Sequence, residues 1–409
     1  MDNTTNTTEE AKQKANSSDF DQLSCIYDAY DDNNIIKAGE IIRNGGLVSF
    51  PTETVYGLGA NALNAEAATG IFTTKERPMT DPLIVHIAQK SDAFELINED
   101  DSVLEIFNLL ADTFWPGPLT CVMKANKDKI SPVITAGTEY VGIRCPNHEI
   151  ALKLIKEAER PICAPSANKF GHVSPTKAEH VLNDFKDNHV FIIDGGQCDF
   201  GIESTVVKIY IEDSEDDKVH IKLLILRRGG ISEKAFSKVI SDYQQTNDSI
   251  VLDIEAIQKK HFTEESHSME APGQFLRHYA PNLPSYMLTS EKFDEEGKEL
   301  NLANCVFLDF NSQNISFKDQ VLLYLDLSER GDYAEAINRV YDYLRISETQ
   351  EKGDMVLIAN LVNDVPVDDN NEVSNSEHRS ALFDRLFRAV TGQAIMINES
   401  FTSYKITKL

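Results

Sequence analysis

No two of the six cysteines stand at CxxC spacing, so the chain offers neither a zinc-ligand pattern nor a compact disulfide framework. Several lie in apolar, strand-like runs, where a thiol acts as a small hydrophobe. No apolar run is long enough to span a bilayer. The N-terminus is polar and acidic, with no apolar signal core and no arginine-rich presequence. The expectation is a soluble, cytoplasmic chain. Basic residues are scarce, 39 against 66 acidic ones, for a formal charge of −27. Such a chain repels polyphosphate backbones at long range, which argues against a protein built to grip nucleic acid. Familiar signatures are missing too: no Walker A lysine loop, GxGxxG fingerprint, kinase catalytic loop, GxSxG elbow or HExxH helix. A nucleotide would have to be held by a less common route.

What is present is enough apolar residue, 41% of 409, for two or three cores at about 100–200 residues per domain. The acidity collects in loop-like stretches at Glu212–Asp217, Asp294–Glu299 and Asp364–Glu377. Between Lys37 and Lys90, five basic residues balance five acidic ones, so an anionic small molecule is not repelled there. Residues 1–30, rich in Asn, Thr and Ser, read as a disordered tail. Residues 31–240 alternate helical periodicity with strand-like runs, an α/β domain. Residues 241–284, with Pro272, Gly273 and Pro281, read as a long linker. A second, smaller α/β domain is expected over 285–409.

Five segments carry possible chemistry. Ser49–Gly59 (SFPTETVYGLG) follows an apolar run and joins hydroxyls and a carboxylate to close glycines, which let backbone N–H groups approach a ligand. Lys75-Glu76-Arg77-Pro78 ends a helix, and Pro78 breaks it so that both cations can turn toward one ligand. Ala164-Pro165-Ser166-Ala167-Asn168 offers a hydroxyl and an amide at a strand end, where α/β sheets bind ligands. Gly201–Val207 (GIESTVV) and Leu226–Gly230 (LRRGG) complete the set. Each alone also reads as an ordinary turn or helix end.

In this order the segments resemble the YrdC-like family of threonylcarbamoyl-adenylate synthases, over about Ile35–Ile240. Pro82–Ile87 and Ser174-Pro175-Thr176 add to the likeness. The rest is similar to the long, two-domain form, whose linker ends in Arg-His-Tyr, here Arg277-His278-Tyr279. The family usually has Met, Lys and Tyr where this chain has Gln274, Phe275 and Leu276, and often Asn in place of Asp81. The resemblance implies a twisted mixed-sheet domain, a linker and a Rossmann-like α/β domain. It implies that ATP, bicarbonate and L-threonine become threonylcarbamoyl-AMP and pyrophosphate, with Mg2+ carried by the nucleotide. A partner transferase then moves the threonylcarbamoyl group to a tRNA adenosine beside the anticodon. No membrane and no strong direct tRNA binding are expected. Lys75 and Arg77 are implied as catalytic cations. Thr54, His86, Arg144 and Ser204 are implied for threonine. Arg77, Asp81, Ala164, Ser166, Asn168, Ser174, Arg227 and His278 are implied for ATP, with no protein-held metal. A carbamoyl-adenylate enzyme of hydrogenase maturation shares the domain type but adds zinc-finger cysteine pairs, which are missing here.

Overall fold

The computed structural model describes residues 25–257, 269–273, 275–291, 293, 297–361 and 378–409. The tail to residue 24, Gln274 and the acidic stretch 364–377 lie outside the described residues.

Local signals set the elements of the N-terminal unit. Helix α1 (Asp32–Arg43) starts where Asp31 accepts the Asn33 N–H at 3.0 Å, and it buries one stripe of Ile35, Ala38, Gly39 and Ile42. Helix α2 (Ala65–Lys75) is capped by Asn64 and closes through Glu76 in the left-handed conformation, φ 58°. Helices α3 (Asp101–Phe114), α4 (Glu149–Ala158), α5 (Ala178–Phe185) and α6 (Glu233–Gln244) follow.

One mixed sheet takes strands β1 (Cys25–Asp28), β2 (Val48–Phe50), β3 (Gly57–Asn61), β4 (Ile84–His86), β5 (Leu119–Lys124) and β6 (Tyr140–Arg144). It also takes β7 (Ile162–Cys163), β8 (Phe191–Asp194), β9 (Thr205–Glu212), β10 (Val219–Arg227) and β11 (Ile250–Ala256). Their order is β1-β8-β2-β3-β7-β4-β6-β5-β9-β10-β11.

Two expected boundaries move. Residues 25–28 are strand, not tail: β1 pairs parallel with β8, and Tyr27 stacks on Phe191 at 3.9 Å between ring centroids. Residues 250–256, expected in the linker, extend the sheet as β11, parallel to β10 from Val219↔Ile250 to Ile225↔Ala256. Alternating Ile250, Leu252 and Ile254 pack on the core of this unit. The connector to the second unit is therefore shorter than expected.

The C-terminal unit holds β12 (Ser285–Leu288), β13 (Lys298–Glu299), β14 (Cys305–Asp309), β15 (Leu323–Asp326), β16 (Met355–Ile358), β17 (Gln393–Ile397) and β18 (Ser403–Lys408). Their order is β13-β18-β17-β12-β16-β14-β15, parallel except at the β18 edge. Helices α7 (Tyr333–Glu348) and α8 (Arg379–Ala389) pack together on it.

The two units share a core. Val55, Val173 and Ile202 of the first and Tyr279 of the linker lie in the apolar cluster of the second. Around it run polar ties: Lys177–Asp342 at 2.9 Å, Arg345–Asp184 at 2.9 Å, and Asn338 to the Asp199 carbonyl at 2.6 Å. His172 bridges Asp184 and Glu348, one carboxylate from each unit, at 2.9 and 3.0 Å.

Burial works against charge on His172, and so does Arg345. The hydrogen bonds to Asp184 and Glu348 outweigh both and raise its pKa above 6.5. A raised folded-state pKa stabilises fully below the unfolded value, and this contribution fades as pH climbs through the folded value. Hydrogen bonds to charged partners are worth about 1.5–3 kcal/mol. His172→Ala should therefore lower the Tm more at pH 6 than at pH 9. Equal deficits in thermal melts at the two pH values would refute the charged bridge.

Candidate active site

The sheet delivers the site residues from strand ends. Thr52, Thr54 and Val55 come from the β2–β3 turn, where the Thr52 hydroxyl meets that of Thr54 at 2.8 Å and donates to the Val55 carbonyl at 2.7 Å. His86 ends β4 and Arg144 ends β6, paired side by side in parallel register. The segment Ala164–Asn168 leaves β7 and is pinned by Leu58 N–H to Pro165 and by Ala167 N–H to Tyr56. Glu203 and Ser204 lead into β9, and Arg227 ends β10. At Gly229 a Cβ would sit 2.4 Å from the Ser204 carbonyl carbon. Only glycine lets the turn after Arg227 lie this close to Ser204.

These residues line a cavity of about 40 Å3. Thr54, Arg77, His86, Arg144, Ala164, Ser166, Ser204, Arg227 and His278, each expected from the sequence, line it together. Pro272, Gly273 and His278 of the connector form part of the wall. Gly273 has φ +85°, and a Cβ there would lie 2.7 Å from the Tyr279 hydroxyl.

Three arginines face inward while almost fully buried. Arg77 is 7% exposed; it pairs with Asp81 at 3.0 Å and donates to the Pro82 carbonyl at 2.8 Å. Arg144 lies 2.7 Å from Glu53, yet neither Glu53 oxygen has a hydrogen-bond partner, so the contact is close but misaligned. Arg227 donates to the Ser204 carbonyl at 3.1 Å and hydroxyl at 3.0 Å, and Ser204 in turn meets the Thr120 hydroxyl at 2.8 Å. His86 and His278 are both neutral near pH 7. Burial, reinforced by Arg144, lowers His86 to about 3. Burial and Arg77 hold His278 well below its usual value. Each imidazole keeps a buried Nδ1 without a hydrogen-bond partner.

Four expected contact residues stand one layer back. Lys75 and Arg77 do not converge, because the left-handed Glu76 turns the chain between them. The Lys75 ammonium donates to the Ser166 carbonyl at 2.6 Å and to the Asn168 carbonyl. Burial, then the neighbouring Arg77, lowers its pKa well below the ordinary lysine value. Asp81 is fully buried against Arg77. Asn168 uses its amide N–H groups on the Lys169 and His172 carbonyls. Ser174 donates to Glu203 at 2.6 Å.

Glu203 is the charged wall residue that sequence reasoning passed over. Its carboxylate also receives the Tyr341 hydroxyl at 2.9 Å and Arg385 at 2.9 Å, both from the C-terminal unit. Its place inside the Gly201–Val207 motif was the available signal; nothing in sequence linked it to Tyr341 or Arg385.

The comparisons agree with this architecture. Residues 40–229 match the family model described as telomere recombination, and residues 231–391 match that of the threonylcarbamoyl-AMP synthase C-terminal domain. The threonylcarbamoyl-AMP synthase of Pyrococcus abyssi is 40% identical over 279 residues, 65% of this chain and 74% of that protein. The enzyme of the same name from Bacillus subtilis is 41% identical over 253 residues, 62% and 66% of the two chains. The solved structure of P. abyssi Sua5 complexed with L-threonine superposes with a TM-score of 0.69 at 32% identity, covering 90% of this chain and 98% of that one. With both family domains in order and nine of the expected residues lining one cavity, this chain belongs to the threonylcarbamoyl-AMP synthase family, in its long two-domain form.

Proposed function

We propose that the cavity joins ATP, bicarbonate and L-threonine into threonylcarbamoyl-AMP and pyrophosphate, with the labour divided as follows. The observation that carries the assignment is the convergence of Arg77, Arg144 and Arg227 on one buried space lined by hydroxyls. The threonine amine takes up CO2 from bicarbonate as a carbamate. A carbamate oxygen then attacks the α-phosphorus of ATP, and pyrophosphate leaves. The negative charge of these groups needs fixed cations in a dry site, where each contact is stronger than in water.

Arg144 takes the threonine carboxylate, exchanging its misaligned contact with Glu53 for a bidentate one. Thr54, Ser204 and neutral His86 hold the rest of threonine. Arg77 and Arg227 face the phosphates, Ser166 and Ala164 the nucleoside, and His278 closes from the connector. Lys75 supports the Ser166–Asn168 segment from behind and adds positive field. Asp81 orients Arg77. Positioning carries the catalysis, since no covalent nucleophile is required.

The carboxylates nearest the cavity, Glu53, Asp81 and Glu203, each already face an arginine. No group of three or more His, Cys, Asp or Glu among the described residues is placed to hold a metal. The donor set does not suit a resident divalent ion, so Mg2+ enters as part of the nucleotide substrate. The product passes to a transferase acting on tRNA, and the acidic surface disfavours direct tRNA capture here. A reducing cytoplasm suits the six free thiols.

The connector works as a lid. Ala271, Phe275, His278 and Tyr279 are buried against the two units. Pro272, Gly273 and His278 stand in the cavity wall, so movement of the connector admits ATP and its return shuts out water.

Pyrophosphate release should depend on threonine. Serine, short of one methyl, should be slower by roughly tenfold or more. Equal rates with threonine and glycine would sink the assignment. Arg77→Ala alone strands the buried Asp81 carboxylate, which costs about 3–5 kcal/mol of stability. Arg77→Ala with Asp81→Asn avoids this. The double variant should melt near the parent yet lose about 10²–10³ in turnover; near-normal release would discard the electrostatic reading. ATP plus threonine should slow hydrogen exchange over residues 270–281, and unchanged exchange would discard the lid. His278→Ala should also lower the Tm, because the imidazole is buried against Tyr279 and Phe170.

A further inference from the structure

We infer that Arg385, on α8 of the C-terminal unit, is a positioning residue for the reaction in the N-terminal unit. Its side chain is fully buried and makes contact with three separate segments of the site. Nε donates to Glu203 at 2.9 Å, in the segment that forms one wall of the cavity. One terminal nitrogen donates to the Arg228 carbonyl at 2.8 Å, directly after Arg227. The guanidinium lies 4.9 Å from the centre of the Tyr279 ring, directly after His278. The other terminal nitrogen meets Asp384 at 3.0 Å, which fixes the plane of the fork.

Each contact falls on a residue next to one that faces the cavity. Glu203 precedes Ser204, and Ser204 is the partner of Arg227. Tyr279 is held at φ 60°, a conformation a bulky residue keeps only when its surroundings impose it. Arg385 and the stacked Tyr341 ring, 5.5 Å away, supply that constraint. The Tyr341 hydroxyl then donates to the same Glu203 carboxylate.

Holding the two units together does not require this charge. The shared apolar cluster of Val55, Val173 and Ile202 already does so. A buried ion pair is often no more stabilising than apolar packing of the same volume. What a planar, five-donor fork adds is geometry: it fixes a carboxylate, a backbone carbonyl and a ring relative to one another, which a lysine cannot do. Loss of that geometry should appear in kcat, because small misplacements cost most at the transition state. Burial opposes ionisation of Glu203, and the charges of Arg385 and Arg227 overcome it, so the carboxylate stays an acceptor for Ser174 and Tyr341.

The inference rests on the proposed reaction, so the test begins with threonine-dependent pyrophosphate release by the full-length parent. Failure there removes the reaction itself and leaves nothing for Arg385 to position. Arg385→Lys keeps a cation for Glu203 but gives up the Arg228 carbonyl and the Tyr279 face. It should melt within a few degrees of the parent, lose at least tenfold in kcat, and change KM for ATP and threonine less than threefold. Tyr341→Phe removes one hydroxyl and leaves the ring stack, so it serves if the lysine variant does not fold. It should lose at least threefold in kcat at an unchanged Tm. A folded Arg385→Lys with kcat within twofold of the parent would overturn the inference. So would activity that only tracks the folded fraction, or a folded Tyr341→Phe with unchanged kcat.

Discussion

The constraint on which this molecule turns is the withdrawal of four cations, Lys75, Arg77, Arg144 and Arg227, from water into one interior. An isolated buried charge is costly, so each must be met by carboxylate, carbonyl or hydroxyl groups. Arg77 has Asp81 and the Pro82 carbonyl, Arg144 has Glu53, Arg227 has Ser204, and Lys75 has two carbonyls of the segment after β7. These partners explain why polar residues stand on strands and turns that are otherwise apolar. They also explain why the cavity is walled from several strands rather than from one loop, since no single loop could supply so many counter-groups.

The C-terminal unit follows from the same constraint. Closing the cavity from the sheet side alone leaves the Gly201–Thr205 segment and the connector without a backing. The second unit supplies an apolar backing in the shared cluster and a polar one through Tyr341 and Arg385. The connector between them is ordered at Ala271–Gly273 and Phe275–Tyr279 because it packs against both units. Phe170 contacts Phe275 and His278 edge-on, and Arg388 donates to the Phe275 carbonyl.

Local patterns in the sequence identify most of the N-terminal unit. The Lys75-Glu76-Arg77-Pro78 run locates the end of α2, and the apolar run before Ala164 locates β7. Strand β11 was hidden because its pairing with β10 crosses a helix and its flanks read as loop. Strand β1 was hidden by the polar composition before it; its place depends on Phe191, more than 160 residues away. At the site, residue types at motif positions revealed which side chains gather, but not their depth. Lys75 and Arg77 are two residues apart and look equivalent, yet one left-handed residue sends the first behind the wall and the second into it. Arg385 carries no local signature at all, since its meaning lies wholly in a contact made across the chain.

The presence of Pro272, Gly273 and His278 in the cavity wall has a thermodynamic consequence for the proposed reaction. Where the connector works as a lid, whichever ligand arrives first bears the free energy of ordering it. The second meets a connector that is already held, and its affinity carries no such cost. Threonine and ATP are thereby coupled through the connector as well as through the bond they form. By linkage, each tightens the other's binding by the same factor.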